Sequence, residues 1–332
     1  MKLLIATGIY PPESGGPATY VKLLEDKLPP HGFTITVLPF RTVRHLPLGV
    51  RHVAYFFKCL SLARAADIVY AQDTVSVGFP AALAALFAGK KFIVRVPGDY
   101  AWEQGRQRFE VADELDHFQD KSYGLSIGIL RLIQRFVVRQ ARAVVVPSQY
   151  MKKIVRRWGI PNATVIYSSI NFPIAYELPK DRPEGFLVVT IARPVPWKGL
   201  DGLMRVVSKE RGWDLKIVND MPHPRAMGWV KTANAFVINS TYEGLSHALI
   251  EAMSLGTPIV ATKVGGNPEL IEEGVDGILI PAKADEALHA ALKRIEEDPV
   301  TAEARANSAR AKIKMFSIDE TIGKLVHLLK TV

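Results

Sequence analysis

The sequence predicts an α/β protein of two domains, each built on a doubly wound parallel sheet. Three observations carry this expectation. The chain has 332 residues, more than one ordinary domain holds and suited to two domains of about 150 each. Short β-branched apolar runs alternate with longer helical patterns along the whole length, the order of a βαβ architecture. Those runs are apolar on both faces, as strands are when helices cover both sides of a sheet. Hydrophobic residues make up 48% of the chain, enough for two cores.

In the first half the strand runs lie at 2–6, 34–38, 68–71, 92–96, 143–146 and 164–167. Helical patterns at 18–28, 50–65, 81–87, 127–140 and 149–157 separate them. The alternation then stops. Pro173, Pro179 and Pro183 stand among mixed charges with little periodicity. Residues 173–185 therefore read as a linker between a domain at 1–172 and a second at 186–315. The second alternation has strand runs at 187–191, 215–218, 235–238, 258–261 and 277–280. Its helical patterns lie at 200–208, 245–255, 267–272, 285–296 and 301–315, and a last helix is expected at 318–329. The halves look like two copies of one architecture facing each other. Open parallel sheets bind ligands at the carboxyl ends of their strands, so the chemistry is expected in a cleft between the two.

Composition narrows the setting. The one cysteine, Cys59, lies in an apolar run and reads as a buried small hydrophobe. No disulfide framework is possible, and a reducing cytoplasm is the simplest location. No run approaches the roughly 20 apolar residues of a membrane span. The opening residues 1–8 carry one basic residue and lead into a Gly/Pro loop, which fits a buried first strand better than a signal peptide. The net charge of +9 is one-sided. Residues 1–175 hold 22 of the 42 Lys+Arg but 12 of the 33 Asp+Glu, a balance of +10, and the remainder stands at −1. Such asymmetry suggests an anionic partner for the first half.

Three loops carry the candidate chemistry. The stretch Ser240-Thr241-Tyr242-Glu243-Gly244-Leu245-Ser246-His247-Ala248-Leu249-Ile250-Glu251 follows a strand and opens a helix. A helix start presents backbone N–H groups and a partial positive charge, a ready phosphate site. Gly244 and Ser246 are small enough for a ligand to approach the backbone. On a helix running through both, Glu243 and Glu251 stand about 12 Å apart. That is the span of a diphosphate with a sugar at each end. Alone, the two carboxylates fit an exposed helix face equally well. The loop Arg193-Pro194-Val195-Pro196-Trp197-Lys198-Gly199 adds two cations after another strand, suited to a diphosphate leaving group. In the first half, Gly15 and Gly16 lie between the first strand and first helix, where glycine lets a backbone come close to a ligand. The pattern is neither a Gly-x-Gly-x-x-Gly fingerprint nor a P-loop.

On these residues the chain resembles the retaining GT-B glycosyltransferases of family 4. The resemblance rests on the Gly15-Gly16 loop, Arg193 with Lys198-Gly199, and Glu243 with seven residues before Glu251. Ala252-Met253, Gly256-Thr257-Pro258 and Gly265-Gly266-Asn267-Pro268-Glu269 continue it, over nearly the whole chain. It implies two facing Rossmann-like domains, the first on the acceptor side and the second binding a nucleoside diphosphate sugar. It further implies that a C-terminal helix, about 316–332, packs back on the first domain. By resemblance, Arg193 and Lys198 hold the donor diphosphate, Glu251 the ribose, and Glu243 stands near the transferred sugar. The Gly15-Gly16 loop faces sugar and acceptor. Gly244, Leu245, Ser246, His247 and Ala248 line the donor. Neither a cofactor nor a metal is implied.

Three departures stand out. Pro97 occupies the place of a family histidine at the end of the fourth strand, and Asp99 is the nearest polar replacement. Gln72 stands where relatives often carry a second histidine. About sixteen residues separate the strand runs at 215–218 and 235–238, where relatives usually hold a Gly-Asp-Gly turn, a helix and another strand.

The expectation is therefore a metal-independent hexosyltransferase. It would move sugar to a hydroxyl, on a sugar or lipid-linked acceptor, with retention. A non-catalytic nucleotide-sugar-binding partner subunit and a nucleotide-sugar epimerase are the alternatives. The basic half offers two readings. Arg131, Arg135, Arg139 and Arg142 recur at helical spacing, and Arg44, Arg51 and Lys58 every seven residues. These patterns suit either a solvated face over a core or a surface lying on the anionic inner face of a membrane. No nucleic-acid motif is present.

Overall fold

The computed structural model describes residues 1–13, 15–170 and 173–332. Ser14 of the glycine loop, with Asn171 and Phe172 next to the expected linker, lies outside the described residues. The chain forms two compact units, Met1–Ser168 with Asp319–Val332, and Ser169–Ile318. Unit 1 runs β1 (Lys2–Thr7), α1 (Gly16–Lys27), β2 (Thr34–Pro39), α2 (Val50–Ala65), β3 (Ile68–Ala71), α3 (Gly78–Ala88), β4 (Lys91–Arg95), α4 (Tyr100–Arg108), α5 (Leu115–Phe118), α6 (Gly124–Gln140), β5 (Ala143–Val146), α7 (Gln149–Arg157) and β6 (Thr164–Val165). Unit 2 runs β7 (Phe186–Ile191), α8 (Leu200–Val207), β8 (Trp213–Val218), α9 (His223–Thr232), β9 (Ala235–Ile238), α10 (His247–Leu255), β10 (Ile259–Thr262), α11 (Asn267–Leu270), β11 (Ile278–Ile280), α12 (Asp285–Glu297) and α13 (Pro299–Lys312). The last helix, α14 (Ile318–Thr331), lies almost wholly in unit 1. There Thr321 Oγ1 donates to the Tyr167 carbonyl (2.9 Å) and Lys91 Nζ to that of Val332 (2.7 Å), above buried Leu325 and Leu329.

Both sheets are parallel. Their orders are β2-β1-β3-β4-β5-β6 and β11-β10-β9-β7-β8. Each unit starts with its first strand in the sheet, places the second to one side and the third to the other. The chain thus reverses direction across the sheet between β1 and β3, and between β7 and β9. Loops leaving two strands at such a point diverge to opposite faces and open a crevice. Strands β3, β9 and β10 are buried at every position, as the apolar runs require. The core of one face of unit 2 gathers Val188, Leu203, Val237, Val260, Leu288 and Leu292.

The structure adds helices that apolar periodicity does not reveal. In α4, Asp99 caps the start, but the buried face is only Ala101, Trp102 and Gly105. The short α5 buries Leu115 and Phe118. The interval between β8 and β9 is not an empty shortening. It holds α9, opened by Pro222 and Pro224, which a first helical turn tolerates. Apart from α9 no further element lies between β8 and β9 among the described residues, and the sheet of unit 2 has five strands there. Gly228 sets α9 against the chain at 177–178, since a Cβ there would lie 1.7 Å from the Glu177 carbonyl oxygen. The Glu177 N–H in turn donates to the Pro224 carbonyl (2.9 Å). Part of the proline-rich stretch is therefore packed onto unit 2.

Candidate functional site

The loops leaving β7 and β9 meet at the switch point of unit 2. Backbone contacts lock them together. Thr241 N–H donates to the Trp197 carbonyl (2.8 Å), and Asn239 Nδ2 to that of Gly199 (2.9 Å). Gly199 has a left-handed backbone (φ 62°), and a Cβ there would lie 2.1 Å from the Asn239 carbonyl oxygen. Only glycine meets both conditions. The stretch after β10 braces the other side. Gly266 N–H donates to the Glu243 carbonyl (3.0 Å), and a Cβ on Gly265 (φ 55°) would lie 1.8 Å from that same oxygen. Asn267 Nδ2 donates to the Thr262 carbonyl (3.0 Å). The Gly265-Gly266-Asn267 motif thus clamps the Glu243 loop.

Within this frame Lys198 Nζ meets Glu243 Oε1 at 2.6 Å, with the two side chains 17% and 8% exposed. Ser240 Oγ donates to the same oxygen, also at 2.6 Å. The carboxylate is nearly enclosed; one lysine balances its charge and one hydroxyl donates to it. Breaking such a pair from one side strands the other charge. Ser246 caps α10: its Oγ accepts from Leu249 N–H (3.3 Å). Helix α10 opens at His247, so Glu243 lies in the loop before it and not on it. The helical 12 Å separation from Glu251 expected from the sequence is corrected accordingly. Glu251 lies one turn into α10, 12% exposed, and meets His223 Nε2 through Oε1 (2.8 Å).

Arg193 lies on the same loop as Lys198, exposed, two residues beyond β7. Gly244, Leu245, Ser246, His247 and Ala248 run from the Glu243 loop into α10, with Leu245 and Ser246 buried. In unit 1, Gly15 caps α1 at φ 133°, a backbone open to glycine, and Gly16 begins the helix. The same loop is held by Arg44, paired with Glu13 and donating to the Gly8 carbonyl (3.1 Å). Across this unit's switch point, Asp73 Oδ1 caps α3 by accepting from Val75, Val77 and Gly78 N–H.

Asp99 is placed differently. It is 1% exposed. Its Oδ1 accepts from Trp102 N–H (3.0 Å) and Gln134 Nε2 (3.1 Å), and its Oδ2 from Gln119 Nε2 (2.7 Å). Burial pushes its carboxyl above the ordinary range. Both oxygens are committed to holding α4, α6 and the segment after α5, so its structural place is a helix cap and not a reacting surface. Cys59 is buried, and burial pushes its thiol up to about 12. Sequence reasoning missed His223. The prolines on either side of it were the available signal, had they been read as a helix start.

The basic residues divide likewise. Arg131 lies over the Phe118 ring (3.9 Å) and donates to the Lys121 carbonyl (2.6 Å). Arg51 lies over Phe40 (5.6 Å), and Lys58 donates to the Thr42 carbonyl (3.0 Å). These cations, with Arg44, bond within unit 1, although Arg44 and Lys58 are exposed, as are Arg135, Arg139 and Arg142. No group of three or more His, Cys, Asp or Glu is arranged to hold a metal among the described residues. No helix among them is long and apolar enough to cross a membrane.

The Lys198–Glu243 pair predicts a coupling measurable by denaturation. Lys198→Met and Glu243→Gln each lower the stability of unit 2 by about 3 kcal/mol, the order for an ion pair broken from one side. The double variant loses clearly less than the sum, and strict additivity would show that the charges do not depend on each other.

Two family models match the chain. "Glycosyl transferase 4-like domain" covers residues 5–168, and "Glycosyl transferases group 1" covers 214–314. A lipopolysaccharide core biosynthesis glycosyltransferase, LpsD of Rhizobium meliloti, is 27% identical over 143 residues, 36% of this chain and 42% of that protein. A D-inositol 3-phosphate glycosyltransferase of Kribbella flavida is 33% identical over 94 residues, 28% of this chain and 22% of that protein. The matched segments thus span less than half the length of these curated relatives. Among solved structures, sucrose-phosphate synthase of Thermosynechococcus elongatus superposes with TM-score 0.80 at 17% identity, covering 99% of this chain and 98% of that one. HepE of Anabaena, solved with UDP-glucose, gives 0.77 at 18% identity with both chains covered in full.

Proposed function

The chain belongs to the GT4-type glycosyltransferases of the GT-B fold, and from that premise we propose that it transfers a hexosyl group from a nucleoside diphosphate sugar to a hydroxyl, with retention. One observation supports this most. Lys198 and Glu243 are paired beside the start of α10, with Glu251 one turn further in. A donor laid along this line meets cations and a helix start at its diphosphate, and a carboxylate at each end.

In the proposed reaction the bond from the sugar's anomeric carbon to the diphosphate breaks, and one from that carbon to the acceptor oxygen forms on the same face. The acceptor proton passes to the departing diphosphate oxygen. Charge grows on that oxygen as the bond breaks. Lys198, Arg193 and the α10 N-terminus are the groups that would stabilise it. Both contacts of Glu243 fall on Oε1, and Oε2 is the oxygen we assign to a hydroxyl of the transferred sugar. Glu251 takes the ribose. No step is routed through a metal or cofactor. HepE, a structural neighbour at 18% identity, was solved with UDP-glucose, which supports a nucleotide-sugar donor.

A non-catalytic nucleotide-sugar-binding role is the second reading, favoured by Asp99, which the fold spends as a helix cap. Turnover separates the two. A panel of UDP-, GDP- and ADP-sugars with sugar and lipid-linked acceptors is expected to release nucleoside diphosphate in the presence of EDTA, with a product of unchanged anomeric configuration by NMR. Lys198→Ala and Glu251→Ala are expected to lose donor binding. Donor binding without release for any acceptor supports the second reading instead.

We further propose that unit 1 rests on an anionic membrane. Between α2 and α3 lies an apolar groove of about 370 Å³ lined by Val53, Phe56, Phe57, Phe79, Leu83 and Phe87. Phe57 and Phe87 are 60% and 73% exposed, and α6 exposes Leu125, Ile129 and Leu132 beside Arg135 and Arg139. Apolar ridges flanked by arginines suit a lipid surface of negative charge, and a cytoplasmic enzyme acting there would meet lipid-linked acceptors. Phe57→Ser with Phe87→Ser is expected to abolish co-sedimentation with phosphatidylglycerol vesicles and spare donor binding. Equal co-sedimentation of wild type and variant would overturn this reading.

A further inference from the structure

The nucleoside end of the proposed site contains a residue that family resemblance does not assign. His223 is the first residue of α9, the helix that directly joins β8 to β9. Its Nε2 stands 2.8 Å from Glu251 Oε1. The imidazole is 55% exposed and the carboxylate 12%, so the pair sits at a surface with the carboxylate on the inner side. Glu251 makes its contact through one oxygen. Helix α9 packs on α10 and brings the histidine to the carboxylate.

We propose that His223 is a positioning residue of the nucleoside subsite: it holds the Glu251 carboxylate by Oε1 so that Oε2 accepts from the ribose hydroxyls of a nucleoside diphosphate. The inference rests on the donor-site reading above and deepens it. A glutamate side chain on a helix has several rotamers, and fixing one before the ligand arrives removes an ordering cost from binding.

The charged surroundings leave Glu251 as the group that governs the imidazole. Helix α9 packs on α10 and β7. Strand β7 carries no charged side chain, and α10 carries only His247 and Glu251. On α9 itself, Arg225 pairs with Glu177 (3.4 Å) and Lys231 donates to the Leu255 carbonyl (2.9 Å). Asp220 is exposed in the preceding loop. The hydrogen bond to Glu251 raises the imidazole above its ordinary value of 6.5, against the opposing effect of burial. A raised value means that the charged pair is complete below about 6.5 and weakens as pH rises through the folded-state value. The hold on Glu251 should therefore loosen toward alkaline pH.

The test uses the full-length chain and calorimetric titration with UDP, GDP and ADP, together with the 2′,3′-dideoxy counterpart of whichever binds tightest. His223→Ala is expected to weaken the ribonucleotide about tenfold, the weight of one hydrogen bond to a charged group. It should leave the dideoxynucleotide unchanged, so that ribose discrimination collapses. His223→Gln, whose amide reaches the same carboxylate, should recover most of the discrimination and abolish the pH dependence between pH 6 and 8.5. The ligand's own ionisation is common to all three proteins and cancels in the ratios. If His223→Ala keeps wild-type discrimination and pH profile while Glu251→Ala loses discrimination, the inference is wrong and the donor site stands. A wild-type chain that binds none of the three nucleotides overturns the donor site and the inference together.

Discussion

The ion pair of Lys198 with Glu243 sets the terms for the rest of unit 2. A carboxylate 8% exposed requires a partner, because an unpaired charge so enclosed costs several kcal/mol. That partner comes from the loop after β7, so the two loops flanking the switch point must stay in contact. The contact has consequences for sequence. Gly199 cannot carry a Cβ without striking the Asn239 carbonyl, and Gly265 cannot without striking that of Glu243. Ser240 supplies a second donor to the same carboxylate oxygen. Charge, glycine placement and topology thus act as one constraint, and the start of α10 is the surface they frame.

Much of this was legible from residues alone. The strands of unit 2 could be placed because apolar runs at 235–238 and 258–261 are flanked by turn-forming residues, and the strands there are buried throughout. Loop positions followed from the strands, so Arg193, Lys198 and Glu243 were assignable to one end of one sheet. What did not follow was the function of the glycines near 265. A motif that looks like part of a ligand loop turns out to brace the backbone of a neighbour, since close approach between two loops leaves no periodic trace in sequence. The helix start was misjudged by two residues for a related reason. Ser246 caps α10 through Leu249, which excludes Glu243 from the helix.

Features that depend on distant partners leave no such trace. The prolines at 222 and 224 open α9, and Asp99 and Arg131 turn their polar groups to partners within unit 1. Asp99 satisfies both carboxylate oxygens in the interior of unit 1, and Arg131 spends its donors on carbonyls while its guanidinium covers Phe118. Single-sequence reasoning assigns polar side chains to surfaces because burial is costly. It cannot see the partners that offset that cost. His223 escaped notice for the complementary reason: its partner is 28 residues away, and only the packing of α9 on α10 brings the two together.

Fold alone does not give activity, so the account rests on where a donor sits. A crystal structure of the chain with a nucleoside diphosphate tests this most directly. The diphosphate is expected within hydrogen-bond distance of Lys198 Nζ and the first turn of α10, with the ribose hydroxyls on Glu251. A nucleotide bound away from the loops after β7 and β9, with the Lys198–Glu243 pair untouched and distant from it, would contradict the account.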